Sequence, residues 1–487
     1  MSRLLLPSLL SLALISGAAA QPVPPSAIDL PNIGEPADNT LSPMQEKALG
    51  TRIMGQLYRG GYILEDPELT DYISTMGWKL AAHSATRAPE LTFFVVDDAR
   101  INAFAMPGGF IGFNSGLLIA ADSESEVAGV MGHELAHVTQ RHLARTAEDT
   151  EVANIATWLG VIAAIIAGSA DPDVVIGALS LGQAMSYQRQ VSYTRAHEHE
   201  ADRIGIQTMA NAGYDPQGMA GFFQKIGQQA RLYGSGLPEI LRTHPLTTNR
   251  IAEARARAAE MPAVEVKDPV EFGLMRARAR VLSAERPSVA VSAFGANVAA
   301  GRDGDDNRYG LALALGETGQ VARALEIADE LGKRHPNQAN IQLLAGRLRM
   351  LSGDHDTGLA ILERTLQRYP RYAPAILGYA EGLMTAGRPE EARQVLLARE
   401  QALGTQLQTF NLLAQAARES GNMAEASYQM ANFLHRRGDA GLALAQLDAG
   451  LRLPDLEEKQ RARLLAKRRE VRDALPDNWR PLEERNR

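Results

Sequence analysis

The residues best suited to chemistry lie in one short segment, GHELAH at residues 132–137. Within a helix, His133 and His137 share a face, so both imidazoles can bind one metal ion. Glu134 is one step round the helix, beside the position of a metal-activated water. Zinc with three protein ligands lowers the pKa of such a water to about 7. The segment predicts one zinc ion per chain and Glu134 as the general base of an endopeptidase; the alternative is a chance match on an ordinary helix.

The third metal ligand must come from elsewhere in the chain. His142 is off the metal-binding face and is expected at the surface or as a hydrogen-bond partner of a ligand. The run of helix formers at residues 195–205, RAHEHEADRIG, offers carboxylates. Glu198 and Asp202 are four apart, so one can bind the metal while the other accepts a hydrogen bond from a ligand histidine. Glu200 points nearly opposite, and the alternative for the whole run is a solvated charge cluster.

Helices and strands must position these segments. Amphipathic helices are expected from residue 42 and near residues 68–83, and residues 123–146 are strongly helical. Between them lie three β-rich segments, at residues 91–98, 102–107 and 110–114. Gly108 and Gly109 join the last two as a hairpin. The prediction is an α+β, mostly helical protease domain with a small sheet at residues 42–262.

The N-terminus has the pattern of a secretory signal peptide at residues 1–20. One Arg precedes an apolar run, and small residues lead to Ala20, after which cleavage is expected. Residues 21–41 form an extended, Pro-rich lead-in. The 487 residues include no cysteine, and their net charge of -7 disfavours nucleic acid as a partner.

A long apolar stretch follows the GHELAH segment. Residues 152–170 carry no charge, and a second apolar run ends at residue 185. Asp171, Pro172 and Asp173 interrupt the stretch, which favours a helical hairpin over a membrane-spanning helix. Residues 152–185 are therefore expected to cover the site or to make a peripheral contact with a membrane.

The C-terminal half contains a repeat of 34 residues. Gly319, Gly353, Gly387 and Gly421 are spaced by this interval, with a small residue five positions after each. Such spacing is typical of tetratricopeptide helix pairs, although the usual aromatic residue is missing. We predict an all-α solenoid at residues 307–454, joined to the protease domain by helices at residues 263–306. The charge-dense residues 455–487 are expected to form a capping helix.

The motifs resemble the peptidase family of HtpX and the CAAX prenyl protease. The resemblance rests on HELAH, on NAFAMPGGFIGFNSGLL before it and on EHEAD after it. It implies a gluzincin-type domain in which His133, His137 and Glu198 bind zinc, Glu134 is the base and Asp202 is the partner of a ligand. A signal peptide with C-terminal repeats is similar to BepA-like periplasmic proteases. That likeness implies a periplasmic location and quality control of outer-membrane proteins, by degrading misassembled ones or assisting assembly.

Two further elements gain meaning from the resemblance. An edge strand of the sheet pairs with substrate in such peptidases, and the matching residues are Asn102, Ala103, Phe104 and Ala105; a plain hairpin strand is the alternative. In RTHPLTTNR, the matching residue for a histidine that can occupy the open zinc position, and so act as a regulatory switch, is His244.

His244 and Arg250, both in RTHPLTTNR, also allow interpretations without a role at the zinc. His244 can be a turn residue before a capped helix. Arg250 can assist an oxyanion or lie on a helix surface.

The sequence leaves two hypotheses about function. The first is a periplasmic zinc endopeptidase acting on unfolded or misassembled envelope proteins, with repeats that contact the outer-membrane assembly machinery. The second is a tetratricopeptide chaperone or scaffold whose zinc site is not catalytic. Glu134 favours the enzyme, because a structural zinc needs no base and normally closes its fourth position.

Overall fold

A computed structural model describes residues 41–150, 195–233, 240–262, 264, 268–404, 406–473 and 475. The predicted signal peptide, nearly all of the Pro-rich lead-in and the apolar stretch at residues 152–185 lie outside these ranges. Among the helices within them, none is both long and apolar enough to cross a membrane.

The small sheet has three strands, β1 (Thr92–Val96), β2 (Ala103–Met106) and β3 (Phe110–Asn114). Their order is β1-β3-β2, with β3 parallel to β1 and antiparallel to β2. Gly108 and Gly109 make the turn between β2 and β3 with φ of 78° and 81°, in the region that favours glycine. The predicted hairpin is confirmed, and β2 lies at an edge of this sheet.

Nine described helices accompany the sheet. The first, α1, begins at a capping box in which the Ser42 side chain accepts from the backbone of Gln45. The helices are α1 (Pro43–Arg59), α2 (Pro67–Ala82), α3 (Ser115–Ala120), α4 (Glu124–Thr139), α5 (His142–Thr150), α6 (Arg195–Asn211), α7 (Gln217–Tyr233), α8 (Ile240–Thr243) and α9 (Thr248–Glu260). The helix predicted over residues 123–146 is therefore two helices, α4 and α5, and the break between them shapes the site described below.

The rest of the described chain is helical, as the repeat predicts. Gly319, Gly353, Gly387 and Gly421 have φ between 71° and 85°, so each ends a helix in the left-handed conformation that glycine tolerates best. The helices are α10 (Val270–Leu282), α11 (Pro287–Ala299), α12 (Asp305–Glu317), α13 (Val321–Arg334), α14 (Ala339–Leu351), α15 (His355–Arg368), α16 (Ala373–Thr385), α17 (Pro389–Leu397), α18 (Glu400–Leu403), α19 (Leu407–Glu419), α20 (Met423–Arg436), α21 (Ala440–Leu451) and α22 (Glu458–Asp473). The predicted fold class, a mostly helical α+β domain followed by an all-α solenoid, is confirmed.

One hydrophobic core runs from the sheet-containing part into the first repeats. It includes Leu69 of α2, Met131 of α4, Met275 of α10, Tyr309 of α12 and Leu344 of α14. Two domains joined by a flexible linker would each have a separate core. The domain boundaries after residues 262 and 306 stay predictions, since buried packing continues across both.

Buried charges reinforce this junction. Asp66 and Glu68, at the start of α2, both pair with Arg278 of α10, at 2.7 Å and 3.0 Å. Glu68 also accepts hydrogen bonds from Arg347 at 3.0 Å and from Asn340 at 2.9 Å. Because the Glu68 side chain is fully buried, its charge depends on these partners.

We expect Arg278→Ala to lower the free energy of unfolding by about 3–5 kcal/mol, because it leaves two buried carboxylates without their main partner. Denaturant unfolding of the full chain measures this loss. The control is Arg308→Ala, which removes the exposed pairs with Asp303 and Glu330 and should cost less than about 1 kcal/mol. Equal losses in the two variants would contradict a junction held by buried charge.

A second group of acidic side chains, which includes Asp71, Glu124 and Glu271, lines an open pocket at the same junction. Burial raises the pKa of Asp71 to about 6, and burial with the neighbouring Asp71 and Glu124 raises the pKa of Glu271 to about 7. The folded state therefore holds these protons more tightly than the unfolded chain, in which the pKa of both groups is near 4. The contribution of these two groups to stability therefore falls as the pH rises from about 4 to about 7.

Glu271→Gln should therefore raise the melting temperature at pH 8 by a few degrees and change it little at pH 4, because only the ionised glutamate is unfavourable. Thermal melts at the two pH values measure the difference. Glu285→Gln is the control, since Glu285 is exposed just after the same helix. An increase that is the same at both pH values would contradict the assignment to ionisation.

Candidate metal centre

Helix α4 carries the HELAH residues inside the protein. It begins after Ser123, whose hydroxyl accepts a hydrogen bond from the backbone of Glu126. Apolar residues surround the helix, and His133, Glu134 and His137 are 3%, 0% and 1% exposed. The motif therefore lies on a buried helix, unlike a chance match on a solvated surface.

Helix α6 crosses α4 at a pair of glycines. A side chain at Gly205 would place its Cβ 2.9 Å from the backbone nitrogen of His133, and one at Gly132 would approach the Gly205 carbonyl oxygen to 3.0 Å. Only glycine permits so close a crossing. It brings Glu198 and Asp202, on the face of α6 that meets α4, beside the histidines.

Four side chains converge at this crossing. The Nε2 atoms of His133 and His137 are 3.0 Å apart, and the Glu198 carboxylate lies 3.6 Å and 3.5 Å from them. His244 joins from the segment after α8, with Nδ1 3.2 Å from His133 Nε2 and 2.9 Å from Glu198 Oε1. Their ligand atoms all lie within 4.8 Å of one another. Three sequence-predicted metal ligands and the predicted fourth residue are thus brought together.

The spacing fits a tetrahedral metal. Zinc binds imidazole and carboxylate at about 2.0–2.2 Å, so its ligand atoms lie roughly 3.3–3.6 Å apart. The donor set is also what zinc prefers, two or three imidazoles with one carboxylate. Burial and the neighbouring histidines His133 and His244 hold the pKa of His137 well below its usual value, so its ring is neutral, as a ligand must be.

The other ring nitrogen of His133 faces a carboxylate. Asp202 Oδ1 lies 3.0 Å from His133 Nδ1, and Arg250 donates two hydrogen bonds of 2.7 Å to the same carboxylate. Burial opposes ionisation of Asp202, but hydrogen bonds from Arg250 and His133 lower its pKa to about 2. Asp202 therefore stays charged and can orient His133.

Arg250 is not on a helix surface, so that alternative is wrong. Its side chain is 3% exposed and pairs with Glu198 at 2.5 Å as well as with Asp202. It lies at the start of α9, after Thr247, whose side chain accepts a hydrogen bond from the Arg250 backbone. Among the described residues it is the cation that balances these two carboxylates.

The Glu134 carboxylate is buried beside the histidines. It is fully buried, and neither of its carboxylate oxygens has a hydrogen-bond partner among the described residues. The nearest ring nitrogen, Nε2 of His244, is 3.4 Å away. A buried carboxylate without hydrogen bonds is costly, so its position indicates contact with a water or a substrate.

His142 is fully buried beside His137, so the expectation of a surface residue is wrong. The alternative, a hydrogen-bond partner of a metal ligand, stays a prediction that this contact supports. Its Nδ1 lies 2.8 Å from His137 Nδ1, and its Nε2 lies 3.1 Å from Glu200 Oε2. Burial lowers the pKa of His142 to about 4. The sequence carried little signal for this position, because the helix break that creates it occurs at an arginine rather than at a glycine.

The predicted substrate strand begins next to a contact with residues 240–244, the segment that ends at His244. Asn102, Ala103, Phe104 and Ala105 are all at most 9% exposed, and the Asn102 side-chain amide has no hydrogen-bond partner in the described part of the chain. The backbone of Ile240, in the segment that leads to His244, donates a hydrogen bond to the carbonyl of the residue before Asn102. The segment that leads to His244 therefore also contacts the residue that precedes the predicted substrate strand.

The crossing helices, the two histidines, the carboxylate of Glu198 and the buried Glu134 are the arrangement of a metallopeptidase. The signature of peptidase family M48 matches residues 67–258, and a tetratricopeptide repeat signature matches residues 349–406. The beta-barrel assembly-enhancing protease of Escherichia coli (strain K12) is 33% identical over 476 residues, which cover 97% of this chain and 96% of that protein.

Other relatives match parts of the chain. The protein of the same name from Yersinia pestis is 43% identical over 258 residues, 53% of each chain. A mitochondrial metalloendopeptidase of Arabidopsis thaliana is 34% identical over 169 residues, 34% of this chain and 31% of that protein. The chain belongs to peptidase family M48 and is a metalloendopeptidase. The resemblance found in the motifs and the enzyme class predicted from them are confirmed.

Proposed function

We propose that the chain is a zinc-dependent endopeptidase whose metal is held by His133, His137 and Glu198. The observation that carries the proposal is the convergence of these ligand atoms next to Glu134, at the spacing that zinc requires. Zinc bound there would polarise the scissile carbonyl and make water a stronger nucleophile at neutral pH.

The residues around the metal divide the remaining work. Glu134 accepts the proton of the attacking water and later delivers it to the leaving amine, as a general base and then a general acid. Neither of its carboxylate oxygens has a hydrogen-bond partner within the described ranges, which leaves both available for this transfer. Asp202, fixed by Arg250, orients His133 through its second ring nitrogen.

His244 keeps the resting enzyme latent in this proposal. Its ring lies where a fourth ligand would complete the tetrahedron, and a ligand there excludes the attacking water. Movement of the segment from Ile240 to His244 would open the metal and also break the hydrogen bond to the Ile101 carbonyl, next to the strand at residues 102–105. An extended substrate could then pair with that strand. The Asn102 side-chain amide, which has no hydrogen-bond partner among the described residues, could bind the substrate backbone.

The biological role is proposed from the relatives. A relative aligned over nearly all of this chain is named for enhancing β-barrel assembly. We extend that role to this chain as hydrolysis of misfolded or misassembled outer-membrane proteins in the periplasm, with assistance to their assembly. The solenoid would bind substrates or the assembly machinery, because stacked helix pairs present an extended surface. Peripheral membrane contact through residues 152–185 is part of the proposal.

Glu134→Gln should retain zinc and lower the rate of peptide cleavage by about 10²–10⁴-fold, because the base is lost while every ligand remains. Metal content and cleavage of an unstructured protein are measured on the same samples. Glu253→Gln is the control, an exposed change of the same kind. Undiminished cleavage by Glu134→Gln would exclude this mechanism and leave the repeats as the functional part, and loss of zinc would make Glu134 a ligand.

His244→Ala should raise proteolysis several-fold, including self-cleavage, while zinc content stays the same, because three ligands remain and the fourth position opens. His335→Ala, a histidine of the repeats that pairs with Asp305, is the control. Rates on an unstructured substrate and the zinc content provide the comparison. A lower rate with normal folding would instead make His244 a participant in the reaction, and an unchanged rate would leave it a turn residue.

A further inference from the structure

The metal-facing histidines differ in what lies behind them. His133 has a carboxylate, Asp202, at its second ring nitrogen. His137 has instead another imidazole, with 2.8 Å between its Nδ1 and Nδ1 of His142. That second imidazole continues to a carboxylate, since His142 Nε2 lies 3.1 Å from Glu200 Oε2. Three side chains thus form a line from the metal centre to a partly exposed glutamate.

Hydrogen-bond chemistry fixes the direction of this line. A carboxylate only accepts, so the proton of a neutral His142 belongs on Nε2, facing Glu200. Its Nδ1 then carries a lone pair and accepts the proton on Nδ1 of His137. His137 consequently turns the lone pair of Nε2 toward the other metal ligands, which is the form a metal requires.

The backbone is arranged to make this contact. Helix α4 ends at Thr139, and Arg141 has φ of 52°, a left-handed conformation that costs a residue other than glycine about 1–2 kcal/mol. The Arg141 guanidinium is tied to the Leu41 carbonyl at 2.9 Å and to Glu46 at 2.8 Å. The left-handed Arg141 separates α4 from α5. The change in chain direction brings the His142 ring against the His137 ring.

Two further contacts hold the line in place. The ring of His197 stacks on that of His142, with centroids 4.4 Å apart and an angle of 11° between the planes. Arg145 donates to Glu200 Oε2 at 3.1 Å. Both rings and the carboxylate are therefore restrained from α5 and α6, the helices on either side.

We propose that His142, held by Glu200, is a positioning residue that fixes the orientation and tautomer of His137 as a metal ligand. The inference rests on the proposed zinc site. It also makes the site asymmetric, because a neutral imidazole behind His137 transfers less negative charge to its ligand than Asp202 transfers to His133. The metal would keep more of its Lewis acidity than with two carboxylates in these positions.

The test measures the zinc affinity of the full chain by competition with a chelator, and the visible spectrum of the cobalt-substituted protein as a report of ligand geometry. His142→Phe keeps a ring to stack on His197 but removes both nitrogens. It should lower zinc affinity about 10–100-fold and alter the cobalt spectrum. His142→Asn, which returns an acceptor near the Nδ1 position, should recover most of the affinity. The control His199→Ala changes a half-exposed histidine of the same helix as Glu200, whose ring pairs with Glu253, and should match the wild type.

Glu200→Ala provides a second route that leaves the buried rings intact, and it should weaken zinc binding by a smaller factor in the same direction. Wild-type affinity and spectrum in His142→Phe, or in Glu200→Ala if the first variant does not fold, would overturn the inference. It would also be overturned if His142→Asn lost as much affinity as His142→Phe and the metal-free forms of both melted equally early, since His142 would then be only structural. A wild-type chain that binds no zinc would overturn the proposed function as well.

Discussion

The close crossing of α4 and α6 is the constraint on which the site depends. At Gly132 and Gly205 the two backbones approach so closely that a Cβ on either glycine would press on the other helix. The histidines of one helix and the acids of the other can reach the same point only at this separation. The sheet and α2 pack on the far side of α4, and the first repeats continue the same core. The repeats therefore support the position of the metal-binding helices.

Charge balance is the second requirement of a centre buried this deeply. Glu134, Glu198 and Asp202 bring three carboxylates into a space from which water is largely excluded, and Arg250 supplies one positive charge. Burial alone would lower the pKa of His244, but Glu198 and Glu134 raise it, so without metal the site favours a proton on that ring. A divalent cation would supply the missing charge and release this proton. The same ring can thus serve as a ligand when the site is loaded.

The features that could be predicted from the sequence are those encoded by residues close together in the chain or at a regular spacing. HELAH, the hairpin glycines and the 34-residue repeat each follow from spacing, and each has the predicted backbone. The helical run at residues 195–205 already offered Glu198 and Asp202 as a metal ligand and its partner. The choice of Glu198 as the ligand, and the place of His244, depended on the family resemblance, because no local pattern joins residues so far apart.

For other features the sequence left alternatives that only the structure could separate. The contact of His142 with His137 depends on the left-handed conformation of Arg141, which no residue pattern indicated. The burial of Arg250 depends on the first turn of α9 facing α6. The shared core was hidden too, because apolar residues such as Met275 and Tyr309 look the same whether they pack within a repeat or against a protease domain.

The central claim is that one metal ion is held where α4, α6 and the segment at His244 meet. An anomalous difference map at the zinc edge, from crystals of the zinc-loaded full chain, tests it most directly. The account predicts one strong peak within bonding distance of His133 Nε2, His137 Nε2 and Glu198, with the His244 ring completing the coordination in the resting enzyme. A peak bonded to Glu200 in place of Glu198, or no peak between the two histidines of α4, would contradict it.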